Sequence, residues 1–251
     1  MNQERRNQIV EILGRNGTIS NAEIMERFGV SIETVRRDLA FLEERGYCER
    51  VYGGAVRKKY LSVEPEYVRR EQENSIEKEK IAREAEKYIS DNDTVFFDLG
   101  TTVRILACNL DQTKKITAFT NALRTAISLS DKGARVIVPS GELRSGEYAL
   151  SGTYSEDVMK NFNIDKAFIG VGGISETGLT DFIIDEARFR SQVIKNANKV
   201  IALADFSKFG VRAMCKVCDI RDIDVLITDD KAPLEIIKDL EKKGVEVIIA
   251  K

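Results

Sequence analysis

Apolar residues follow two different periodicities along the chain. Over the first fifty-odd residues they recur every three or four positions, as on one face of a helix, whereas beyond residue 90 they gather in short runs typical of buried strands. The stretch between these parts, residues 58–75, is polar and charged, contains Pro65 and has no sustained apolar period, which predicts a connector. We therefore divide the chain into a domain over residues 1–57, a connector over 58–75 and a second domain over 76–251.

The pattern in the first domain predicts three helices. Apolar positions at helical spacing predict the first helix over Arg5–Leu13, and Asn16-Gly17 ends it, because both residues tolerate the left-handed backbone of a helix C-terminus. Ser20 and Glu23 have the spacing of a capping box, which starts the second helix, and Ser31 is placed to start the third. Two helices joined by a four-residue turn that contains glycine predict a helix-turn-helix.

The outer face of the third helix carries side chains that a DNA groove accepts. Its apolar stripe turns inward, which leaves Thr34, Arg36 and Arg37 outside, together with Ser31 at its start. A helix fits the major groove, its N-terminal residues reach base edges, and arginine bonds guanine bidentately or holds phosphate. We expect Asp38 to hold an arginine of the same domain instead, because DNA phosphates repel a carboxylate. The alternative is a small helical domain whose surface arginines are merely solvated.

A β-hairpin follows the third helix directly. Residues 47–56 alternate between apolar and polar and are interrupted by Gly53-Gly54, as in a hairpin, and a hairpin in this place is a wing. A wing lies along the DNA backbone, where basic side chains contact phosphates. The basic residues that we expect to make such contacts are Arg50, Arg57, Lys58 and Lys59.

The second domain alternates between strands and helices. After a charged amphipathic helix over Glu77–Ile89, seven short apolar runs follow, with helix-like segments between most of them. The predicted strands are Thr94–Phe97, Ile116–Phe119, Val136–Val138, Ala167–Ile169, Val200–Ala204, Val225–Ile227 and Val245–Ile249. The predicted helices are Thr102–Leu110, Ala122–Leu129, Asp185–Ala197 and Leu234–Lys243. This alternation predicts an α/β domain whose mostly parallel sheet is covered on both faces.

Polar residues collect just past the carboxyl ends of these strands, which is the edge at which open α/β sheets bind ligands. In Asp98-Leu99-Gly100-Thr101-Thr102 the glycine lets a ligand approach the backbone, and the threonines offer hydroxyl and amide groups at a helix N-terminus, which attracts anions. Asp98 is placed to accept hydrogen bonds from sugar hydroxyls. Because neither a P-loop nor a dinucleotide fingerprint occurs, a small phosphorylated ligand is favoured over a nucleotide. The alternative is that these residues only cap the helix.

Composition narrows the chemistry further. The 251 residues include 39 Lys and Arg against 41 Asp and Glu, and the absence of histidine excludes histidine-based triads and histidine-containing zinc sites. Residues 1–59 hold 11 Lys and Arg against 9 Asp and Glu, an excess that matters only if the positive groups share one face. No apolar run is long enough to span a membrane, and the polar first ten residues do not resemble a signal peptide. We therefore expect a cytoplasmic protein without a membrane partner.

The four cysteines are expected to be reduced thiols in that compartment. Cys215 and Cys218 form a CxxC, but it lies in an apolar, strand-like stretch, and two thiolates alone do not make a zinc site. We expect buried structural cysteines there, and neither a metal nor a cofactor in the protein.

The N-terminal residues resemble one family closely. Arg5, Ile9 and Leu13, followed by Ser31-Ile32-Glu33-Thr34-Val35-Arg36-Arg37-Asp38-Leu39, are similar to the helix-turn-helix signature of the deoxyribose-operon repressor (DeoR) family of bacterial regulators. The family's wing usually ends in His-Gly-Gly-Ala, where this chain has Tyr52-Gly53-Gly54-Ala55. The resemblance implies a winged helix-turn-helix that binds double-stranded operator DNA. The residues that it implies for DNA contact are Ser31, Glu33, Thr34, Arg36, Arg37 and Arg50.

The second domain is similar to the sensor domain of the same family, an α/β fold of the ribose-5-phosphate isomerase type. The matching stretches include Phe97–Thr102, Thr120-Asn121, Gly141–Arg144, Asp165–Gly170, Gly172-Gly173-Ile174 and Asp205–Gly210. Ser140 and Arg190 depart from the family, which often has glycine and lysine in these places. The resemblance implies a sensor for a phosphorylated sugar. The residues that it implies for effector contact are Asp98, Gly100, Thr101, Thr102, Asn121, Arg144, Gly172 and Lys208.

Two functions remain: a repressor of a carbohydrate-metabolism operon, or a sugar-phosphate isomerase that carries a DNA-binding module. Isomerisation needs a placed carboxylate base. The acidic candidates are Asp165, Asp181, Asp185 and Glu186, of which the first precedes its strand and the others suit a solvated helix start. We therefore assign no catalytic residue. We expect a homo-oligomer, a dimer or a tetramer, that meets repeated or inverted half-sites and whose DNA binding changes when a sugar phosphate binds.

Overall fold

The N-terminal unit, called the head below, is a winged helix-turn-helix. The computed structural model describes residues 2–44, 47–57 and 64–251. The elements of the head are α1 (Asn2–Asn16), β1 (Thr18–Ser20), α2 (Asn21–Phe28), α3 (Ile32–Glu44), β2 (Cys48–Val51) and β3 (Gly54–Arg57). The three strands form an antiparallel sheet in the order β1-β3-β2. The three predicted helices and the hairpin are confirmed, whereas the three-residue strand β1 was not predicted.

Local sequence signals position the helices of the head. The predicted capping box is present, with Glu23 N donating to Ser20 Oγ (3.1 Å) and Ser20 N donating to Glu23 Oε2 (2.7 Å). Gly29 ends α2 in the left-handed conformation that glycine adopts without strain (φ +61°). The buried apolar core of the head consists of Ile9, Leu13, Ile19, Ile24, Val35, Leu39, Leu42, Cys48 and Ala55.

A buried carboxylate joins α1 to α3. Asp38 is only 2% exposed, and it accepts hydrogen bonds from Arg5 Nε and Arg6 Nε, each at 2.7 Å. The guanidinium of Arg6 also lies 3.7 Å from the centre of the Phe41 ring. The prediction that Asp38 holds arginines of its own domain is confirmed.

The predicted connector is partly helical. It contains α4 (Tyr67–Gln72), and α5 (Ser75–Glu86) follows in place of the predicted helix over Glu77–Ile89. Tyr67, at the start of α4, is buried. A helix of six residues is too short to show an apolar period, which explains why the sequence pattern indicated no element here.

The second unit, called the sensor below, is built on a seven-stranded parallel sheet in the order β15-β14-β12-β9-β4-β5-β6. Its strands are β4 (Thr94–Phe97), β5 (Thr117–Phe119), β6 (Arg135–Ile137), β9 (Ile164–Gly170), β12 (Ala197–Leu203), β14 (Val225–Thr228) and β15 (Glu246–Ile249). Its helices are α6 (Thr101–Asn109), α7 (Leu123–Asp131), α8 (Thr153–Met159), α9 (Ile184–Asn196) and α10 (Leu234–Lys242). The seven predicted strands, the four predicted helices and the α/β class are confirmed.

Side chains alternate between two cores on opposite faces of this sheet. Phe96 and Ile169 pack on one face with Phe189 of α9, whereas Phe97 and Phe168 pack on the other, where α5 and α6 lie. Both faces of the strands are therefore covered, and an uninterrupted apolar run is what such strands require.

Short antiparallel strands outside the main sheet were not predicted, except for the strand-like CxxC. They are β7 (Glu142–Arg144), β8 (Ala149–Ser151), β10 (Gly173–Ser175), β11 (Gly178–Asp181) and β13 (Cys215–Cys218). Burial raises the pKa of Cys218 to about 12, so its thiol stays protonated. Cys215 is half-buried, and Cys108 of α6 is exposed. Within the described ranges, no helix has both the length and the apolar character needed to cross a membrane.

Helix α1 of the head lies against the sensor. A Cβ added at Gly14 would lie 3.4 Å from Cδ2 of Phe206, which begins the 3-10 turn Phe206–Lys208. At this distance the added carbon would make ordinary van der Waals contact, so α1 faces the Phe206 ring at Gly14.

Replacing Asp38 tests the junction between α1 and α3. Asp38→Ala should lower the free energy of unfolding of the head by about 2–3 kcal/mol, because one buried carboxylate accepts charged hydrogen bonds from two guanidinium groups. Urea unfolding followed by circular dichroism measures this change. Asp157→Asn is the control, since the Asp157–Lys160 pair is solvent-exposed and should leave the unfolding curve almost unchanged. An unfolding curve of Asp38→Ala that superimposes on the control would contradict the structural role of this carboxylate.

Candidate DNA-binding face and effector pocket

The outer face of α3 presents the side chains predicted for DNA contact. Ser31, Glu33, Arg36 and Arg37 are exposed, and Thr34 is half-buried. The hydroxyls of Ser31 and Thr34 lie 3.3 Å apart at the start of the helix. Arg5 and Arg6 of α1 share the carboxylate of Asp38, whereas Arg36 and Arg37 project from α3 into solvent, where a groove-binding helix needs positive charge.

Arg50 of the wing is engaged within the head. Its Nε lies 2.6 Å from Glu43 Oε2, and its backbone N donates to Glu43 Oε1 at 2.8 Å. The guanidinium is still about half exposed, at 47%. Contact of Arg50 with phosphate stays a prediction, and the side chain of Arg57, together with Lys58 and Lys59, lies outside the described residues.

A cavity opens at the carboxyl edge of the sheet, next to the start of α6. Two glycines shape it: a Cβ on Gly170 would lie 2.7 Å from Leu99 O, and Gly100 has a φ of +131°, which side chains disfavour. The loops after β4 and β9 therefore approach each other closely. The residues that line the cavity are Glu64, Arg70, Lys78, Leu99–Val103, Gly170–Gly172, Asp181, Phe182, Arg190, Leu203, Asp205 and Lys208.

The first turn of α6 faces this cavity without a side-chain cap. Gly100 occupies the N-cap position and has no side chain, so it cannot cap the helix as serine or aspartate would. The first intrahelical bond runs from Arg104 N to Gly100 O (3.0 Å), and the preceding amides have no partner within the helix. This geometry favours anion binding over simple capping.

Cations surround the cavity. Lys208 follows β12, and Lys78 comes from the inner face of α5, where it is 3% exposed. Burial lowers the pKa of Lys78 to about 8. Burial also acts to raise the pKa of Asp205, but the nearby Lys208 and Lys78 outweigh it and hold this pKa below its ordinary value.

Behind the cavity, Arg190 joins two carboxylates. Its Nε donates to Asp98 and its Nη1 to Asp181, and all three side chains are buried. Asp98 Oδ1 also accepts from Leu99 N (2.8 Å), and its Oδ2 accepts from Gly170 N (3.0 Å). The oxygens of Asp98 are thus used by protein donors, and the proposed contact with sugar hydroxyls stays a prediction.

The other predicted effector residues fall into two places. Gly172 and Lys208 line the cavity with Gly100, Thr101 and Thr102. Asn121 is fully buried and donates through Nδ2 to Leu150 O (3.1 Å), and Arg144 lies on β7. Five of the predicted residues thus line one cavity, and contact of any of them with an effector stays a prediction.

Sequence reasoning missed Arg70 and Lys78. Lys78 shares the helical face of Ile81 and Ala85, at spacings of three and seven residues, and this position among inward residues was the available signal. Arg70 lies in the connector, where six helical residues give no period. Neither residue follows a strand of the sheet, which is where ligand-binding side chains were sought.

A cluster of five charged side chains, called the rim cluster below, borders the pocket. It consists of Glu64, Arg70, Arg144, Glu147 and Glu186. Arg70 Nη2 pairs with Glu64 (3.0 Å) and Glu147, and Arg144 pairs with Glu64 (2.9 Å), Glu147 (3.9 Å) and Glu186 (2.6 Å). Burial raises the pKa of Glu186 to about 7, against the opposing effect of Arg144 and Arg190.

Two family patterns match successive parts of the sequence. The DeoR-like helix-turn-helix domain matches residues 5–60, and the DeoR C terminal sensor domain matches residues 73–230. Together they cover the head, α5 and most of the sensor.

Two curated relatives resemble the chain over nearly its whole length. The HTH-type transcriptional regulator GolR of Listeria innocua serovar 6a is 35% identical over 253 residues, which cover 98% of either chain. The Glycerol-3-phosphate regulon repressor of Escherichia coli K12 is 33% identical over 246 residues, 97% of either chain. Among solved structures, ribose 5-phosphate isomerase A of Methanocaldococcus jannaschii aligns with 54% of this chain and 55% of its own, at 18% identity and a TM-score of 0.41.

The buried Glu186 predicts a pH dependence of stability. Because its pKa is about 7 in the folded protein and about 4.5 when exposed, the folded state binds the proton more tightly between these values. Stability should therefore fall by about 2–3 kcal/mol as the pH rises through this window. Urea unfolding between pH 4.5 and 8 measures it, and Glu186→Gln should flatten the profile. Glu241→Gln, on the exposed face of α10, is the matched control, and an equally steep profile in Glu186→Gln would contradict the assignment.

Proposed function

We propose the following function for this chain, which belongs to the DeoR family of transcriptional regulators: it represses a carbohydrate-metabolism operon, and a phosphorylated sugar modulates its binding to the operator. The observation that carries the proposal is the pairing, in one chain, of a helix-turn-helix with outward arginines and a pocket that combines uncapped helix amides with lysine side chains. A protein with this function works where the chromosome is, which in bacteria is the cytoplasm.

In this proposal α3 enters the major groove. Arg36 and Arg37 contact base edges or phosphates, Ser31 and Thr34 contact the backbone at the start of the helix, and Arg50 of the wing reaches a phosphate. The exposure of the α3 side chains supports this arrangement. A head of fewer than 60 residues reads only a few base pairs, so we propose that two or more copies of the chain bind together at spaced half-sites.

The effector's phosphate is proposed to bind at the N-terminus of α6. There the amides of the first turn, the hydroxyls of Thr101 and Thr102, and the ammonium of Lys208 would neutralise a dianion. Gly100 and Gly172 let the ligand approach the backbone. Asp98 does not touch the ligand in this arrangement; it accepts hydrogen bonds from Arg190 and Gly170 and thereby positions the loops of the pocket. The Glycerol-3-phosphate regulon repressor of Escherichia coli K12, one of the relatives, is named after a small phosphate ester, which supports a phosphorylated effector.

The alternative, an isomerase with a DNA-binding module, lacks support from its candidate bases. The expectation of a solvated helix start holds for Asp185 and is wrong for Asp181 and Glu186, which are buried. Asp181 lines the cavity, but Arg190 donates to it. Glu186 and Asp185 do not line the cavity. A general base must reach the proton that it removes with its lone pair available. The family and the relatives named above are transcriptional regulators, and the chain is accordingly one of them and not an enzyme.

Arginine substitutions on α3 test the DNA face. Arg36→Ala and Arg37→Ala should each weaken binding about 10- to 100-fold, since each removes a groove or phosphate contact. The DNA target is obtained by selecting binders from a random duplex library with the wild-type protein, and affinity is measured by fluorescence anisotropy. Arg83→Ala removes an exposed arginine from helix α5 of the sensor and serves as the control. Wild-type affinity in both α3 variants would refute the proposed recognition helix.

A thermal-shift screen of phosphorylated sugars tests the pocket. A specific ligand raises the melting temperature by mass action, and at 100 times its Kd it adds about 2.7 kcal/mol to stability. Lys208→Met should reduce this shift for every ligand that raises the wild-type melting temperature, because it removes a cation from the phosphate site. Lys160→Met, at an exposed site after α8, should respond like wild type. Equal shifts in Lys208→Met and Lys160→Met would place the phosphate elsewhere.

A further inference from the structure

Helix α4 contacts both the head and the wall of the pocket. On the head side, Tyr47 Oη donates to Glu73, at the end of α4, and Arg69 Nε donates to Tyr47 Oη at 3.1 Å. The guanidinium of Arg69 also lies 4.2 Å from the centre of the Tyr47 ring. Tyr47 immediately precedes β2, so α4 contacts the head in the segment between the recognition helix α3 and the wing.

The next residue of the same helix, Arg70, lines the pocket. Its side chain pairs with Glu64 and Glu147 of the rim cluster and donates through Nε to Pro65 O (2.9 Å). Its carbonyl oxygen accepts from Lys78 Nζ and, at 3.5 Å, from Thr101 Oγ1. Adjacent residues of α4 thus reach the head in one direction and the proposed phosphate site in the other.

The pocket is narrow, and part of its wall comes from the connector. Its volume is about 40 Å³, roughly three times what a single water requires. The wall that the connector contributes consists of Glu64 and Arg70, whereas the loops after β4 and β9 are fixed by Asp98 and Arg190. The connector side is therefore a part of the wall that a bound ligand can contact directly.

Arg70 can change partners while Glu64 keeps a second hydrogen-bonded cation. A phosphate dianion is a stronger partner for a guanidinium than a carboxylate, and it accepts two parallel hydrogen bonds. Glu64 would keep its hydrogen bond from Arg144 Nη1, at 2.9 Å. Glu147 would keep only the longer approach of Arg144 Nη2, at 3.9 Å. The rim cluster thus has a second cation in place for the moment at which Arg70 leaves.

We propose that Arg70 is a ligand of the effector's phosphate and that α4 carries the occupancy of the pocket to the head. On binding, the Arg70 side chain moves from Glu64 and Glu147 to the anion, and α4 shifts with it. The shift changes the hydrogen bonds that Arg69 and Glu73 make with Tyr47. This inference rests on the proposed function, because it requires that an anion binds at the start of α6. It goes beyond that function by assigning a ligand and a coupling element to the connector.

Three variants separate ligand binding from coupling. Arg70→Met removes the proposed phosphate ligand, Arg70→Lys keeps the charge without the bidentate geometry, and Tyr47→Phe removes only the hydroxyl that Arg69 and Glu73 hold. Inorganic phosphate is the probe, with ionic strength kept constant by sodium chloride because DNA binding depends on salt. Thermal shift reports phosphate binding, and fluorescence anisotropy with the selected duplex reports DNA affinity with and without phosphate.

The expected results differ between the variants. Arg70→Met should need about tenfold more phosphate for the same thermal shift, the loss that one charge-assisted hydrogen bond represents, and Arg70→Lys should lie between it and wild type. Tyr47→Phe should bind phosphate and DNA separately as wild type does, but phosphate should no longer change its DNA affinity. Arg83→Ala should behave as wild type in both assays.

Each other outcome has its own meaning. If phosphate stabilises the wild type and changes its DNA affinity, but Arg70→Met responds to the same concentrations, Arg70 is not a ligand and the inference is wrong. If Tyr47→Phe retains the full effect of phosphate on DNA affinity, α4 does not carry the signal, and the coupling half of the inference is overturned. If neither phosphate nor any phosphorylated sugar affects the wild type, the proposed function itself fails, and the inference fails with it.

Discussion

One buried guanidinium, that of Arg190, holds together the loops that form the pocket. It donates to Asp98 and Asp181, and these carboxylates also accept from backbone amides: Asp98 from Leu99 and Gly170, and Asp181 from Phe182 and Ile183. The ends of β4, β9 and β11 are thereby fixed relative to α9. A buried ion pair stabilises a fold only when its remaining hydrogen bonds are satisfied, and the backbone donors meet that condition here. The amides of α6 are thus held ready for an anion before one arrives, which reduces the cost of binding.

The parallel sheet was predictable because each of its strands is a short run of apolar residues. Strands buried on both faces must be apolar at successive positions, as Phe96 and Phe97 are, and this requirement leaves a clear mark in the sequence. The short elements leave no such mark. Strand β1 has three residues and α4 has six, so neither spans enough of a period to be distinguished from a loop. They are defined by contacts that are distant in sequence, such as the pairing of β1 with β3 and the packing of Tyr67.

The candidate site was predictable where its residues are adjacent in the sequence. Gly100, Thr101 and Thr102 are adjacent, and the start of a helix after a strand fixes their orientation. Asp98 shows where this reasoning ends: its position after β4 was evident, but its oxygens face Arg190, which is 92 residues away. The direction in which such a side chain points depends on tertiary packing, and the apolar periodicity of the sequence does not contain that information. The same holds for Arg70, whose place at the pocket depends on how the connector folds back over α6.

The two contacts between head and sensor differ in what holds them. At α1, Gly14 rests on Phe206, whose backbone N donates to Asp229 Oδ2 (2.8 Å), so the turn beneath the head is anchored through the backbone. At α4 the contact with the head consists of side-chain hydrogen bonds between Tyr47 and Arg69 and Glu73. The same helix is held at the pocket by the ion pairs of Arg70 in the rim cluster. In the proposed coupling, a shift of α4 changes the contact with Tyr47, while the contact between α1 and Phe206 is kept. Since the helical repeat of DNA fixes the spacing of half-sites, a rotation of the recognition helices in an oligomer is sufficient to weaken operator binding.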